Sequence, residues 1–321
     1  MDIKRVKVHF IVISSHQFNQ RVDNFLINYL KGIPKSKIYH IIRNGEVRIN
    51  KKRIKCQYKL KINDILRIPP LHMYKMVQKK PIKCIALHKY IIYEDDSLMI
   101  INKPTGIAVH GGYNWQYGGI IEMLKMYYKN IHFLELVHRL DKDTSGILLI
   151  AKKNSMLRAL HELLRNRKIK KNYLALVSGV WSSKITEIAV PLYKFFSIKK
   201  KCIMQVNKKY GKLSKTIFKV QERFAKIATL MQAIPITGRT HQIRIHTQYA
   251  GHPIACDDRY GDKNFDLQMK YFGVNRLFLH AFSISFKYPN TEKILSIQAP
   301  LDKTLLQCLQ KLRVVCSTYK V

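Results

Sequence analysis

A polar loop in the middle of the chain carries the carboxylate best suited to chemistry. Residues 138–146 read His-Arg-Leu-Asp-Lys-Asp-Thr-Ser-Gly and lie between strands predicted over residues 134–137 and 147–151. Because the second strand is wholly apolar, we expect it to be buried. A loop between two core strands can hold a side chain rigidly at a cleft, which makes Asp141 the candidate nucleophile. A single Asp in a loop more often caps a turn, so the loop alone leaves both interpretations open.

A carboxylate suits a nucleophilic role because it is ionised at neutral pH without an activating base. From the residues alone, two other classes of protein also remain open. Asp141 and Asp143 could form the carboxylate pair of a hydrolase that cleaves N-glycosidic bonds and releases a free base. Alternatively, the chain could be a non-catalytic RNA-binding or ribosome-assembly protein in which the charge of the chain matters most.

The chain carries a large excess of positive charge. It contains 58 Lys and Arg residues against 20 Asp and Glu residues, which gives a formal net charge of +38 over 321 residues. A field of this size attracts polyanions, so we expect a nucleic acid partner whose binding weakens with salt. A biased, AT-rich genome would also raise the lysine content, so charge alone does not identify the function.

The composition is that of an ordinary globular protein with room for two domains. The hydrophobic fraction is 47%, and no apolar stretch approaches the roughly 20 residues that a membrane-spanning helix needs. We therefore expect a cytoplasmic protein without membrane association. The cysteines are widely separated, without the close pairs of zinc or redox sites, and are predicted to be reduced thiols. They are Cys56, Cys84, Cys202, Cys256, Cys308 and Cys316.

Residues 17–75 are predicted to form a small α/β module. Apolar residues recur at helical spacing over residues 22–30 and 38–42, and Ser36 is the expected cap of the second helix. Alternation over residues 46–50 predicts a half-exposed strand. The remaining positions of the module carry basic residues that are either a solvated face or an RNA contact surface. They are Lys35, Lys37, Arg43, Arg48, Lys51, Lys52 and Arg53.

This module resembles the RNA-binding domain shared with ribosomal protein S4. The likeness rests on the pattern Arg21-x-Asp23-x-x-Leu26 and on residues 41–50, and it covers nearly the whole module. In that family the paired helices dock against structured RNA. The resemblance therefore implies that the basic face is the contact surface.

Residues 76–86 are predicted to be a linker, because the segment contains a proline and a pair of lysines between two patterned regions. From residue 87 to residue 321 the chain alternates strands and helices, which predicts a second domain. A strand is expected near residues 98–101. A helix is expected to follow a cap at Asn154 or Ser155.

Four motifs of the second domain together resemble the RluA-type family of pseudouridine synthases. The central motif is His-Arg-Leu-Asp-x-x-Thr-Ser-Gly at residues 138–146, and the others occur in the family's order at residues 102–110, 171–179 and 237–246. The resemblance covers essentially the whole chain. It implies an α+β catalytic domain built on a mixed, largely antiparallel sheet, and an enzyme that isomerises uridine to pseudouridine without an energy source.

The resemblance also assigns roles to individual residues. Asp141 would be the nucleophile, Arg244 the cation that keeps it ionised in a water-poor pocket, and Tyr173 the ring that stacks on the extruded uracil. Tyr173 would also help to remove the proton from carbon 5. Arg139 would occupy the space that the flipped base leaves, and Arg239 is a further candidate RNA contact. Without the resemblance, Arg244 is more typical of a surface charge and Tyr173 of a core aromatic.

The sequence predicts no metal and no nucleotide cofactor. His241 and His246 stand five positions apart, which places them about 140° apart on a helix, and no zinc motif surrounds them. These histidines, with the others in the motifs, are expected to form structural hydrogen bonds. Within the family, the likeness is to members that act on large-subunit ribosomal RNA. The predicted partner is therefore 23S ribosomal RNA, and nothing in the chain demands more than a monomer.

Overall fold

The structure is a computed structural model, and it describes residues 4–6, 8–30, 33–73, 86–111, 118–131, 133–196 and 202–318. The chain divides into two compact units, residues 1–80 and 81–321. All but the last residue of the predicted linker at residues 76–86 lies outside the described residues.

The N-terminal unit packs two helices against short antiparallel strands. The strand order in its larger sheet is β2-β5-β3-β4, and β1 pairs with β6. Strand β2 lies N-terminal to residue 17, where the sequence predicted the module to begin, yet it pairs with β5 along its whole length. The elements are β1 (Lys4–Val6), β2 (His9–Val12), α1 (Val22–Tyr29), α2 (Lys35–Arg43), β3 (Arg48–Ile49), β4 (Lys52–Arg53), β5 (Ile65–Ile68) and β6 (Leu71–Met73).

Both helices of this unit bury the apolar face that the sequence predicts. Leu26 of α1 and Ile38 and Ile41 of α2 are fully buried in one core with the strand residues. The predicted cap of α2 was wrong, because the helix begins at Lys35 and Ser36 lies inside it. The preceding Pro34 occupies the N-cap position with φ −57°, so the ring of this proline directs the chain into the helix two residues earlier than predicted.

The C-terminal unit is built on a ten-stranded sheet with the order β12-β15-β16-β11-β17-β10-β8-β7, to which β9 and β18 add at β10 and β17. Only the β10–β17 pair is parallel among the described pairs, so the predicted mixed, largely antiparallel sheet is confirmed. The strands are β7 (Ile91–Glu94), β8 (Leu98–Lys103), β9 (Glu135–Leu136), β10 (Ser145–Ala151), β11 (Lys170–Ser178), β12 (Glu187–Ala189), β13 (Leu192–Phe196), β14 (Cys202–Val206), β15 (Lys215–Phe224), β16 (Ala228–Pro235), β17 (Leu279–Lys287) and β18 (Ile294–Gln298).

Helices and a separate hairpin cover this sheet. The helices are α3 (Ile120–Tyr127), α4 (Asn154–Arg165), α5 (Gln242–Tyr249), α6 (Lys263–Tyr271) and α7 (Lys303–Thr318), and β13 pairs with β14 as a two-stranded hairpin. The predicted side-chain cap of α4 was wrong, because Lys153 is the N-cap residue and caps through no side-chain bond. No helix within the described ranges is long and apolar enough to cross a bilayer.

The register of the central strands brings distant parts of the chain together. Tyr173 of β11 and Gly146 of β10 both pair with Ala281 of β17, from opposite sides. On its other side, Tyr173 pairs with Ala233 near the end of β16. The side chain of Tyr173 packs against both hydrophobic clusters of this unit. The loop before β10, the middle of β11 and the segment after β16 therefore converge at one place on the sheet.

Candidate active site

A cavity of about 460 Å³ lies at this point of convergence. Its volume falls in the range of about 300–1,000 Å³ that is usual for ligand pockets. The residues that line it include all the site residues predicted for the second domain, which are Asp141, Tyr173, Arg244, Arg139 and Arg239. Residues from three of the four motifs, those at residues 138–146, 171–179 and 237–246, thus share one cavity in the folded chain.

The side chain of Lys103, at the end of β8, holds the loop that carries Asp141. The Lys103 side chain is fully buried, and its Nζ donates to the carbonyl oxygens of Pro104 (2.8 Å), Ile107 (2.9 Å) and Lys142 (2.9 Å). Burial lowers the pKa of Lys103 to about 7, against the opposing charges of Asp143 and Asp141. Three acceptors match the three hydrogens of an ammonium group, so Lys103 fixes the peptide next to Asp141.

Asp141 faces two basic side chains across the cavity. Its Oδ2 lies 3.7 Å from Nη1 of Arg244 and 3.7 Å from Nε2 of His241. The Asp141 side chain is 21% exposed, whereas that of Arg244 is 3% exposed. The carboxylate of Asp141 is thus open to the cavity on one side and faces a buried guanidinium on the other.

Arg244 makes its strongest contacts with a different carboxylate, which the sequence analysis did not assign. Its Nε and Nη2 donate to the two oxygens of buried Asp257 at 2.7 and 2.6 Å, and Nη2 also reaches Asp258 at 3.1 Å. Burial opposes the charge of Arg244, but the hydrogen bonds and charge of Asp257, together with the charges of Asp141 and Asp258, raise its pKa overall. Arg244 is therefore a fixed cation, and only Nη1 is directed at Asp141.

Tyr173 lies on β11 and presents its ring to the same cavity. Burial, and secondarily the negative charge of Asp141, raises the pKa of its phenol well above the usual value. The resting side chain is therefore a neutral hydroxyl at physiological pH. An aromatic face beside an ionised carboxylate can stack on a planar ligand while the carboxylate reacts with it.

Basic residues that the sequence analysis missed also line the cavity. Arg165 at the end of α4, Arg167 just after it and Lys171 on β11 all contribute to its wall. Arg165 and Arg167 are exposed, as are Arg139 and Arg239. Only the unusually basic composition of residues 165–171 could have indicated them. Four exposed guanidinium groups around a cavity suit contacts with phosphate.

Three of the motif histidines, His138, His241 and His246, form hydrogen bonds within the protein. Nε2 of His138 accepts from the backbone of Leu149 at 3.2 Å, and His246 bonds the hydroxyl of Ser214 at 2.8 Å. His252 bonds the carbonyl of Ser178 at 2.8 Å. Across the described residues, no cluster of three or more His, Cys, Asp or Glu side chains could hold a metal ion.

The basic residues predicted for the N-terminal unit are all exposed in that unit. Three of them, Lys51, Lys52 and Arg53, lie at the tight turn between β3 and β4 or on β4 itself. Asn50 and Lys51 have φ angles of 49° and 66°, which is the left-handed geometry of a type I′ hairpin turn. The turn therefore projects a compact group of cations into solvent.

Comparison with known proteins agrees with this geometry. Residues 97–249 match the family model for RNA pseudouridylate synthase, and residues 20–66 match the model for the S4 domain. Ribosomal large subunit pseudouridine synthase C of Pasteurella multocida (strain Pm70) is 52% identical over 310 residues, which cover 95% of this chain and 94% of that protein. The protein of the same name from Escherichia coli (strain K12) is 50% identical, with 98% and 99% coverage.

Solved structures show the same relationship at lower identity. Human RNA Pseudouridylate Synthase Domain Containing 4 superposes with a TM-score of 0.58 and 26% identity, covering 71% of this chain and 94% of that chain. Human RNA Pseudouridylate Synthase Domain Containing 1 shares the fold, with a TM-score of 0.53. Half of all aligned residues are identical to those of the bacterial relatives across nearly the full length, and the chain therefore belongs to the RNA pseudouridylate synthase family.

Proposed function

We propose that this protein isomerises specific uridines of 23S ribosomal RNA to pseudouridine. Family membership supports the reaction, and the names of the bacterial relatives support large-subunit ribosomal RNA as the substrate. The S4 domain and the net charge of +38 support RNA binding. We further propose that the protein acts in the cytoplasm as a monomer and uses no metal or nucleotide cofactor.

The observation that carries this proposal is the shared cavity of Asp141, Tyr173 and Arg244. A carboxylate lies beside a fixed guanidinium, with an aromatic ring in the same wall. These are the groups needed to react with one flipped pyrimidine nucleotide and to hold its base. In this proposal Asp141 is the nucleophile and Arg244 keeps it ionised.

The reaction breaks the bond between C1′ of ribose and N1 of uracil and forms a bond between C1′ and C5. The proton on C5 leaves and N1 gains one, so no outside oxidant or energy source is needed. Asp141 could attack the sugar, attack the base or abstract a proton from the sugar, and an ionised carboxylate serves each route. The detached uracil must stay bound while it rotates, so exclusion of water matters as much as the nucleophile.

Tyr173 is placed to hold the detached base in this scheme. Stacking of a base on an aromatic side chain is worth roughly 1–3 kcal/mol and applies to either orientation of the uracil. Because the pKa of its phenol is raised, the hydroxyl remains protonated at neutral pH. Its part in removing the C5 proton is therefore that of a neutral hydrogen-bonding group.

The RNA would be held by basic residues on both units. We propose that Arg139 fills the space of the flipped nucleotide, and that Arg239, Arg165 and Arg167 contact phosphates at the mouth of the cavity. The N-terminal contacts would be Lys35, Lys37, Arg43, Lys51, Lys52 and Arg53. In domain terms, residues 17–75 would bind RNA, residues 76–86 would link the domains and residues 87–321 would carry the active site.

Replacing one carboxylate tests the proposal. Asp141→Asn keeps the size of the side chain but removes its charge, so we expect turnover on unmodified 23S RNA transcripts to fall by about 10³-fold or more. RNA affinity should stay within about three-fold, because the phosphate contacts remain. Pseudouridine is measured by mass spectrometry of the digested RNA, and affinity by filter binding.

Asp143→Asn is the matched control, because Asp143 lies two residues away and is not among the described residues that line the cavity. We expect it to keep turnover within about ten-fold. Substantial activity in Asp141→Asn would overturn the nucleophile assignment. Release of free uracil by the unaltered protein would instead indicate a hydrolase, and RNA binding without any base change would indicate a non-catalytic protein.

A further inference from the structure

A chain of hydrogen bonds leads from the hairpin strand β14 to His241, which faces the proposed catalytic carboxylate. The backbone N–H of Met204 donates to the hydroxyl oxygen of Tyr260 at 3.0 Å. That hydroxyl lies 2.8 Å from Nδ1 of His241. The opposite ring nitrogen of His241, Nε2, lies 3.7 Å from Oδ2 of Asp141. His241 therefore stands between a buried tyrosine and the proposed nucleophile.

This arrangement determines which nitrogen of His241 carries the hydrogen. The hydroxyl of Tyr260 has one hydrogen to donate, and Tyr260 is only 4% exposed. Within the described part of the chain, no acceptor other than Nδ1 of His241 lies within hydrogen-bonding distance of this hydroxyl. Because a buried hydroxyl rarely leaves its hydrogen unused, Tyr260 donates to Nδ1. A neutral His241 then carries its own hydrogen on Nε2, which faces Asp141.

The imidazole is neutral under physiological conditions. Burial lowers the pKa of His241 to about 4, and the nearby guanidinium groups of Arg244 and Arg259 add to this effect, while the charge of Asp141 opposes it. His241 also has a φ of 53°, which is a left-handed backbone conformation that a non-glycine residue adopts at a cost. The fold therefore holds this side chain in place despite local strain.

Two donors converge on one oxygen of Asp141. Arg244 and His241 both contact Oδ2 of Asp141. The other oxygen, Oδ1, accepts no hydrogen bond from any described residue. The two oxygens of the carboxylate therefore have different neighbours. Both distances are 3.7 Å, longer than a hydrogen bond, and such contacts commonly shorten when substrate binds.

We propose that His241 is a positioning residue, which Tyr260 locks as the Nε2–H tautomer so that it orients Asp141 and leaves Oδ1 as the reacting oxygen. The inference rests on the proposed function and deepens it. It holds for each of the possible routes, because each needs one carboxylate oxygen directed at the nucleotide. Tyr260 also packs its ring 5.1 Å from the guanidinium of Arg244, so one tyrosine supports both groups that face Asp141.

Two substitutions at position 241 distinguish a role in positioning Asp141 from an effect of the backbone strain at residue 241. In His241→Gln the amide nitrogen can reach the place of Nε2 and donate to Asp141, whereas in His241→Asn it reaches only the place of Nδ1. Asn tolerates left-handed backbone better than Gln, so relief of strain would favour the Asn variant. We expect the Gln variant to keep the single-turnover rate constant within about ten-fold. The Asn variant should lose about 100-fold with RNA affinity unchanged.

Tyr260→Phe tests the lock on the tautomer. It keeps the ring but removes the hydroxyl, so the Nε2–H tautomer of His241 should no longer be the only one populated. The single-turnover rate constant should then fall by about ten-fold. Tyr249→Phe is the matched control, since Tyr249 lies on α5 with a 58% exposed side chain and outside the cavity lining. The tautomer is measured from two-bond ¹H–¹⁵N correlations in protein labelled at its histidine side chains, with His241 assigned by its loss in His241→Gln.

The outcomes distinguish this inference from the proposed function. An Nδ1–H tautomer in the unaltered protein, or an Asn variant as active as the Gln variant, would overturn the positioning role while pseudouridine formation stands. If the unaltered protein forms no pseudouridine, the proposed function fails, and the tautomer measurement still tests the Tyr260 lock. Thermal melting of each variant shows whether it folds. Should His241→Asn not fold, Tyr260→Phe alone decides the inference.

Discussion

Arg244 contacts two carboxylates and holds them differently. Its Nε and Nη2 form a two-pronged contact with Asp257 at 2.7 and 2.6 Å, while Nη1 lies 3.7 Å from Asp141. The forked contact requires the planar guanidinium and would not be reproduced by lysine. Asp257 therefore compensates for the burial of Arg244, and Asp141 is not tied into a close ion pair with it. In the proposed mechanism, this loose contact leaves Asp141 free to react.

Asp257→Ala should destabilise the protein by about 3 kcal/mol, because it leaves the buried guanidinium of Arg244 without its main partner. The free energy of unfolding in urea measures this. The matched control is Asp258→Ala, which removes a 67% exposed carboxylate from the same guanidinium and should cost less than about 1 kcal/mol. Equal losses of unfolding free energy in the two variants would show that Asp257 is not the main partner that compensates for the buried charge of Arg244.

The motif could predict which residues lie in the site but not how they are paired. Asp141, Tyr173 and Arg244 were indicated by their places in matching stretches of sequence. That Asp257 holds Arg244 could not be predicted, because the choice between two carboxylates depends on the path of the chain after α5. Exposed Arg165 was missed for a similar reason, since its place at the cavity depends on where α4 ends.

Strands and helices were predictable where the pattern is local. Residues 147–151 form an apolar run that predicts a buried strand, and β10 is indeed buried at every residue. Strand order was not predictable, because it depends on pairs such as Tyr173 with Ala281, which are far apart in sequence. The wrong cap at Ser36 shows a further limit, since Pro34 fixes the start of the helix through its ring.

Strand β10 approaches β17 closely because Gly146 has no side chain. Its φ is 105°, and a Cβ at this position would lie 2.3 Å from the carbonyl oxygen and 2.6 Å from the amide nitrogen of Ala281. This pair is one of the two residue pairs that form the parallel contact between the two strands. The loop that carries Asp141 thus ends on a strand position that only glycine can occupy without moving the backbone.

Gly146→Ala is therefore expected to lower stability by about 3 kcal/mol or more, through strain and backbone displacement, and to reduce turnover by shifting the Asp141 loop. Gly106→Ala separates these causes, because Gly106 also has a positive φ, of 81°, but meets nothing within 4 Å. It should cost only about 1–2 kcal/mol. Thermal melting and pseudouridine assays measure both effects. Similar costs in both variants would contradict the steric explanation.

For the molecule as a whole, buried histidines make stability depend on pH. Burial lowers the pKa values of His138, His241 and His246 to about 4, from 6.5. Between these values the unfolded chain binds protons that the folded protein does not. Their contribution to stability is therefore complete above pH 6.5 and is lost as the pH falls towards 4.

The expected result is a free energy of unfolding that decreases from pH 7 to pH 5, by at most about 2 kcal/mol for each buried histidine. Urea titrations at several pH values measure the slope. His246→Gln should flatten it, because His246 is fully buried, whereas His88→Gln, at an exposed position, should leave it unchanged. A stability that is constant between pH 7 and pH 5 would show that these histidines are not held neutral by the fold.

The net charge of +38 does not by itself show where RNA binds, and the salt dependence of affinity can locate the contact. Replacing Lys51, Lys52 and Arg53 together by Gln removes the cations of the β3–β4 turn. If they neutralise phosphates, the slope of log affinity against log salt should become shallower by roughly 2–3, with the largest loss of affinity at low salt.

The control for this variant removes the same number of charges elsewhere. Lys226, Lys293 and Lys303 are exposed residues of the C-terminal unit that do not line the cavity. Replacing these three by Gln lowers the net charge equally but should change the slope by less than about 1, because a general field acts less than direct phosphate contacts. Equal changes in the two triple variants would mean that the N-terminal unit contributes charge but no specific contact surface.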